Sequence, residues 1–83
     1  LIMVKQKKIM LPTVSDAKEF VARASRCDFD IDIFYNRVVI DAKSILGVLS
    51  LDLTRELTVT LNGDDPEFEA YLDKMAAKVN TAA

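Results

Sequence analysis

The side chains in this sequence that could do chemistry fall into three groups. They are the single thiol of Cys27, two runs of carboxylates, and the hydroxyls of Thr13, Ser15 and Ser44. A nucleophilic thiol needs a base or a cation beside it, and the chain contains no histidine. Cys27 therefore reads as a small apolar residue at the end of a helix. One thiol cannot close an internal disulfide, which fits a reducing cytosol. Asp28-Phe29-Asp30-Ile31-Asp32 starts like a calcium loop, but no glycine follows at the sixth position and no glutamate at the twelfth. These carboxylates read as solvated strand-edge groups. Asp64-Asp65 stands before Pro66 and reads as a helix cap, not a catalytic pair. With no histidine and one cysteine, a transition-metal site is close to excluded. Gly47 and Gly63 are too few for a phosphate loop. No arrangement for general acid–base or nucleophilic catalysis is present. The expectation is a protein that is not an enzyme and holds no cofactor.

The hydroxyls are different, because each stands where a helix should begin. Ser44 precedes Ile45-Leu46-Gly47-Val48-Leu49-Ser50-Leu51. Its hydroxyl can accept from an early backbone N–H as an N-cap, a useful role in itself. On a helical wheel Ile45, Leu46, Val48, Leu49 and Leu51 leave only a narrow sector to Gly47 and Ser50. A helix in a two-layer domain needs one apolar stripe. This one carries more, so it is either fully buried or offers part of its surface to a partner.

The elements that position these residues follow from periodicity. Val4 to Leu11 reads as a first strand, stopped by Pro12. Thr13 or Ser15 caps a helix over roughly 15–26, with Ala17, Phe20, Val21 and Ala24 on one face. Asp16 and Glu19 near its start, and Arg23 and Arg26 near its end, suit the helix dipole. Asp30 to Tyr35 alternates as a half-buried strand, Tyr35-Asn36-Arg37 reverses the chain, and Val38 to Ala42 returns. After the Ser44 helix, Leu57 to Leu61 alternates cleanly. Asp65 caps a last helix over about 66–79, built on Phe68, Tyr71, Leu72, Met75, Ala76 and Val79. Asn80 to Ala83 is expected to fray. The order is β-α-β-β-α-β-α, and a two-layer α+β domain with one covered sheet face satisfies it.

Composition sets the outer limits. Eighty-three residues, 51% hydrophobic and 29% charged, suit one globular domain over 1–83. A domain this small buries about 60% of its unfolded surface, so a deep enclosed cavity is not expected. The net charge of −2 with mixed signs gives no footprint for direct nucleic-acid binding. No apolar run reaches the ~18 residues of a membrane span. Residues 1–8 lack the pattern of a signal peptide.

The order and the residues together resemble the HPr family, the small phosphocarriers of the bacterial sugar phosphotransferase system. The resemblance covers roughly residues 5–79 and is most specific at Ala42 to Leu51. That run looks like the family's regulatory-serine segment. Asp30 to Asn36 looks like the family's strand and turn, at the matching distance from the serine. The resemblance implies an open-faced β-sandwich: a four-stranded antiparallel sheet with three helices on one face.

The resemblance also marks a departure. HPr proteins begin the first helix with histidine-alanine-arginine-proline, and the histidine relays phosphate. Here Thr13 falls where the histidine should be, Ser15 where the arginine should be, and Asp16 where the proline should be. Phosphohistidine is a labile phosphoramidate, whereas a phosphothreonine ester is far more inert. Ser15 removes a guanidinium fork. Asp16 sets like charge against a phosphate at the helix start. Ser44 is kept. In Gram-positive relatives the equivalent serine is phosphorylated by a dedicated kinase, and the modified protein binds a transcription factor of catabolite repression. The resemblance assigns Ile45, Leu46 and Leu49 to an exposed docking patch and turns Val48 and Leu51 inward. It therefore implies a cytoplasmic regulatory or adaptor protein, possessed of protein partners: a serine kinase, a transcription factor or transport-system proteins. The alternatives are an atypical phosphocarrier of the phosphotransferase system and a binding module whose Ser44 is never modified. Either a monomer or a dimer that exchanges its first strand is compatible with the sequence.

Overall fold

The computed structural model describes residues 4–79. The expected fraying of Asn80 to Ala83 lies outside the described residues. The elements are β1 (Lys5–Ile9), α1 (Val14–Ala24), β2 (Ile31–Tyr35), β3 (Val38–Asp41), α2 (Ile45–Leu49), β4 (Leu57–Leu61) and α3 (Pro66–Ala76). Their order is the one read from the sequence. The four strands form a single antiparallel sheet in the order β1-β4-β2-β3.

Alternation decides which sheet face is covered. Ile31 and Ile33 of β2 and Leu57, Val59 and Leu61 of β4 are buried, while Asp32, Phe34, Thr58 and Thr60 between them are only half-buried. The register puts Ile33 opposite both Val59 and Ile40. Ala17, Phe20, Val21 and Ala24 of α1 and Phe68, Tyr71, Leu72 and Met75 of α3 complete the core against the covered face. The β2–β3 turn uses Asn36 at φ 51°, a left-handed residue that asparagine tolerates.

The differences from the periodicity reading are local. β1 ends at Ile9 rather than Leu11, because the chain there leaves the sheet. Met10 N–H reaches the Met75 carbonyl at 3.4 Å, and Leu11 is fully buried as a plug ahead of Pro12. α1 starts one residue earlier, at Val14, and ends at Ala24 rather than Arg26. α3 stops at Ala76 rather than Val79, with Ala77 as its C-cap. β1 also turns two lysines toward the helices. The Lys5 ammonium pairs with Asp64 and with Glu69 (3.0 Å), and Lys7 pairs with Asp73 at 2.6 Å. Asp64 first, then Glu69, raises the Lys5 pKa. These pairs fix the position of α3 across the edge strand, although part-exposed ion pairs add little stability each.

α2 lies close on β3. A Cβ at Gly47 would come within 2.6 Å of Ile40 Cγ2, so a larger residue there would push the helix off the strand or force Ile40 to move.

Candidate functional site

Two helix starts, α1 and α2, hold the hydroxyls singled out above. Thr13 is the N-cap of α1 in extended conformation, and its Oγ1 accepts from Asp16 N–H at 3.0 Å. The same hydroxyl donates to Asp16 Oδ2 at 3.0 Å. Asp16 thus engages both the lone pair and the proton of Thr13. The Thr13 carbonyl accepts from Ala17 N–H at 3.1 Å. Ser15 is exposed in the first turn. Sequence reasoning left the cap open between Thr13 and Ser15; the structure gives it to Thr13.

Ser44 is the N-cap of α2, and its Oγ accepts from Gly47 N–H at 3.2 Å. Its carbonyl accepts from Val48 N–H at 2.9 Å. Ser44 is exposed, and the first turn of α2 holds no acidic residue. The lead-in is fixed by an Asx turn. Lys43 N–H donates to Asp41 Oδ1 at 2.9 Å and Ser44 N–H to the Asp41 carbonyl at 3.0 Å.

The apolar excess of α2 divides around its axis. Val48 is fully buried and Leu51 is 5% exposed, whereas Leu46 is 81% exposed and Leu49 37%. Ile45 differs from the expectation that it is open: it is partly buried and packs on the core. α1 packs against α2, and Val14 at the start of α1 is a further exposed aliphatic residue. The open apolar surface is thus Leu46 and Leu49 on α2, with Val14 exposed on the neighbouring helix.

Cys27 and Lys43 were not foreseen as connectors. Lys43 Nζ donates to the Cys27 carbonyl at 2.8 Å. The Cys27 thiol faces Asp65 Oδ2 at 3.4 Å, and Asp65 Oδ1 caps α3 by accepting from Phe68 N–H at 3.1 Å. Burial, reinforced by Asp65, pushes the thiol up to about 11. Phe68 N–H first, then the thiol, holds the Asp65 carboxyl below its usual range. The Cys27 thiol is thus held in its protonated form at neutral pH, which slows its reaction with thiol reagents. Asp28, Asp30 and Asp32 do not converge: no group of three or more metal-ligating side chains lies together among the described residues. The cleft between α1 and α3, lined by Arg23, Arg26, Asp65, Glu67 and Phe68, is shallow and mixed in charge.

The comparison with protein families supplies a direct match. The model of the PTS-HPr family, described as the PTS HPr component phosphorylation site, matches residues 14–81. The chain belongs to the HPr family. It is a phosphocarrier-type protein of the phosphotransferase system (PTS) by family and by fold. Among solved HPr structures, HPr-C-His from Thermoanaerobacter tengcongensis superposes with a TM-score of 0.71 at 23% identity, covering 88% of this chain and 91% of that one. At that identity the likeness speaks for the fold. The phosphocarrier protein HPr from Bacillus anthracis gives a TM-score of 0.64 at 29% identity, covering 89% of this chain and 94% of that one. The HPr family match begins at Val14, one residue after Thr13. No helix among the described residues is long and apolar enough to cross a membrane.

Proposed function

We propose that this HPr-family chain is a regulatory or adaptor protein, not an enzyme, which does not carry phosphate on histidine and is regulated by phosphorylation of Ser44. The observation that carries this reading is the absence of histidine from the whole sequence. A relay needs a phosphoramidate or a comparably labile bond, and no other side chain here forms one as readily.

The geometry at α1 supports the loss of the relay. Thr13, Ser15 and Asp16 are a degenerate acceptor site. The Thr13 hydroxyl is held on both sides by Asp16, and the Asp16 charge takes the place at the helix start that an incoming phosphate would occupy. Ser44 is the contrasting case. Its hydroxyl is exposed at an N-cap with no acid in the first turn. A phosphate there adds about −1.5 to −2 charge where backbone N–H groups and the dipole favour it, so the fold tolerates the change. Leu46 and Leu49, with Ile45 at their edge, would then dock a protein partner, and the phosphate would gate that contact. The partners are a serine kinase and either a transcription factor or transport-system proteins, in the cytoplasm.

The test is a pair of labelling reactions. Incubation with enzyme I and labelled phosphoenolpyruvate leaves the chain unlabelled; acid-labile label on it would overturn the proposal. Incubation with an HPr serine kinase and labelled ATP labels the wild type and not Ser44→Ala. Equal label in both would remove the regulatory serine.

A further inference from the structure

Lys43, the residue directly before Ser44, ties two helices together. Its ammonium donates to the Cys27 carbonyl at 2.8 Å. Cys27 lies three residues beyond Ala24, the end of α1, and its N–H returns to the Ala24 carbonyl at 3.1 Å. The carbonyl that Lys43 holds therefore belongs to the turn that closes α1, where a cation complements the negative end of the dipole. The backbone of Lys43 is pinned at the other end by Asp41 Oδ1 at 2.9 Å. One flexible side chain thus joins the end of α1 to the start of α2.

Resting on the reading that Ser44 is phosphorylated, we propose that Lys43 is the latch that responds: phosphoserine at position 44 draws its ammonium off the Cys27 carbonyl and loosens the turn after α1. The modification itself is an ordinary transfer from ATP. Ser44 Oγ bonds the γ-phosphorus, the bond to ADP breaks, and the hydroxyl proton passes to a base on the kinase. The response is a competition between two acceptors for one cation. The Cys27 carbonyl is a neutral dipole, so its bond to the ammonium is charge-assisted on one side only. A phosphate on the adjacent residue carries about −1.5 to −2 charge and adds an ion-to-ion attraction that the carbonyl cannot offer. No acidic side chain in the first turn of α2 competes for the ammonium. The lysine stem is flexible, so the exchange needs side-chain rotation only. The result carries a signal from the serine to the far end of α1 while the cap of α2 stays in place.

The test installs phosphoserine at position 44 during synthesis by codon reassignment, so that no kinase is needed. Two quantities are read: the carbonyl 13C shift of Cys27, which reports its hydrogen bond, and the rate at which a thiol reagent labels Cys27, which is 5% exposed. In the wild type, phosphoserine shifts the carbonyl resonance and raises the labelling rate about tenfold, as loss of one hydrogen bond to a charged group would. Lys43→Met, which keeps most of the stem, gives the same two changes without phosphate, and phosphoserine adds nothing further to it. An unmoved carbonyl resonance in the phosphorylated wild type overturns the latch, whatever the variant does. So does a phosphoserine effect of equal size in Lys43→Met. Failure here leaves the regulatory reading of Ser44 standing. Failure of the kinase labelling leaves the latch standing as chemistry that the cell does not use.

Discussion

The starts of α1 and α2 are built from the same device and end in opposite states. Each has a hydroxyl at the N-cap, in extended conformation, accepting from the backbone N–H three residues on. At α1 that third residue is Asp16, and its carboxylate also takes the Thr13 proton. At α2 it is Gly47, which has no side chain to offer. At one helix start the cap hydroxyl is engaged by an anion of its own first turn; at the other an exposed hydroxyl caps Gly47 N–H and has no acid in the first turn. The difference lies in one residue at the same position of each cap. It shows how a phosphate-handling fold can close one helix start while another stays open.

The sharpest way to break this comparison is to ask which hydroxyl takes phosphate. With an HPr serine kinase and ATP, Ser44→Ala loses all incorporation and Thr13→Ala keeps the wild-type level, read by intact-protein mass. Label lost in Thr13→Ala but kept in Ser44→Ala would reverse the assignment. The next largest effect separates the two sides of α2. Val48→Ala empties a fully buried site and costs about 2–3 kcal/mol in urea unfolding. Leu46→Ala, at 81% exposed, changes stability by less than about 0.5 kcal/mol. It weakens binding of a partner that docks on α2 by about tenfold, measured by calorimetry. A large stability loss from Leu46→Ala would mean that the helix turns a different side to the core.

Much of this was legible in the sequence, for physical reasons that differ from element to element. β2 and β4 are read from alternation, because one sheet face is buried and the period of two has no competing explanation. α1 and α3 are read from their apolar stripes and caps. Periodicity carries β1 on to Leu11 because Met10 and Leu11 continue its apolar run, and nothing local says that Leu11 plugs the core from outside the sheet. The partial burial of Ile45 was hidden for a related reason. A helix apolar nearly all round does not reveal which sector its neighbours cover. The longest-range features were invisible. Nothing in the pattern around Lys5 and Lys7 names their partners, and only the packing of α3 brings Glu69 and Asp73 to them. The Lys43–Cys27 tie spans sixteen positions and ends on a carbonyl, which no side-chain pattern encodes. At the site, the residue types were visible but the double contact of Thr13 with Asp16 was not.

The caps themselves differ in strength, and this gives a smaller effect. Thr13→Ala removes a cap held by two hydrogen bonds and costs about 1–2 kcal/mol. Ser44→Ala removes a single bond of 3.2 Å on a helix of five residues, and costs about 0.5–1 kcal/mol. Urea midpoints of the two variants measure the difference. If Ser44→Ala proves the more costly, the hydroxyl is chiefly structural and its exposure is incidental to function.

The smallest expected effect isolates the charge that closes α1. Asp16→Asn keeps the backbone N–H that Thr13 accepts and leaves an amide in place of the carboxylate. The lost term is then the anion at the positive end of the helix, about 0.3–1 kcal/mol at low ionic strength. Thermal unfolding at two salt concentrations measures it. The deficit relative to wild type is present at low salt and shrinks as salt rises, because a charge at an exposed helix start is screened. Glu at the same position keeps the charge but reaches further, so Asp16→Glu retains the salt dependence while loosening the contact to the Thr13 hydroxyl. A deficit in Asp16→Asn that ignores salt would place the role of Asp16 in its hydrogen bond to Thr13. The start of α1 would then be closed by geometry, with its charge a bystander.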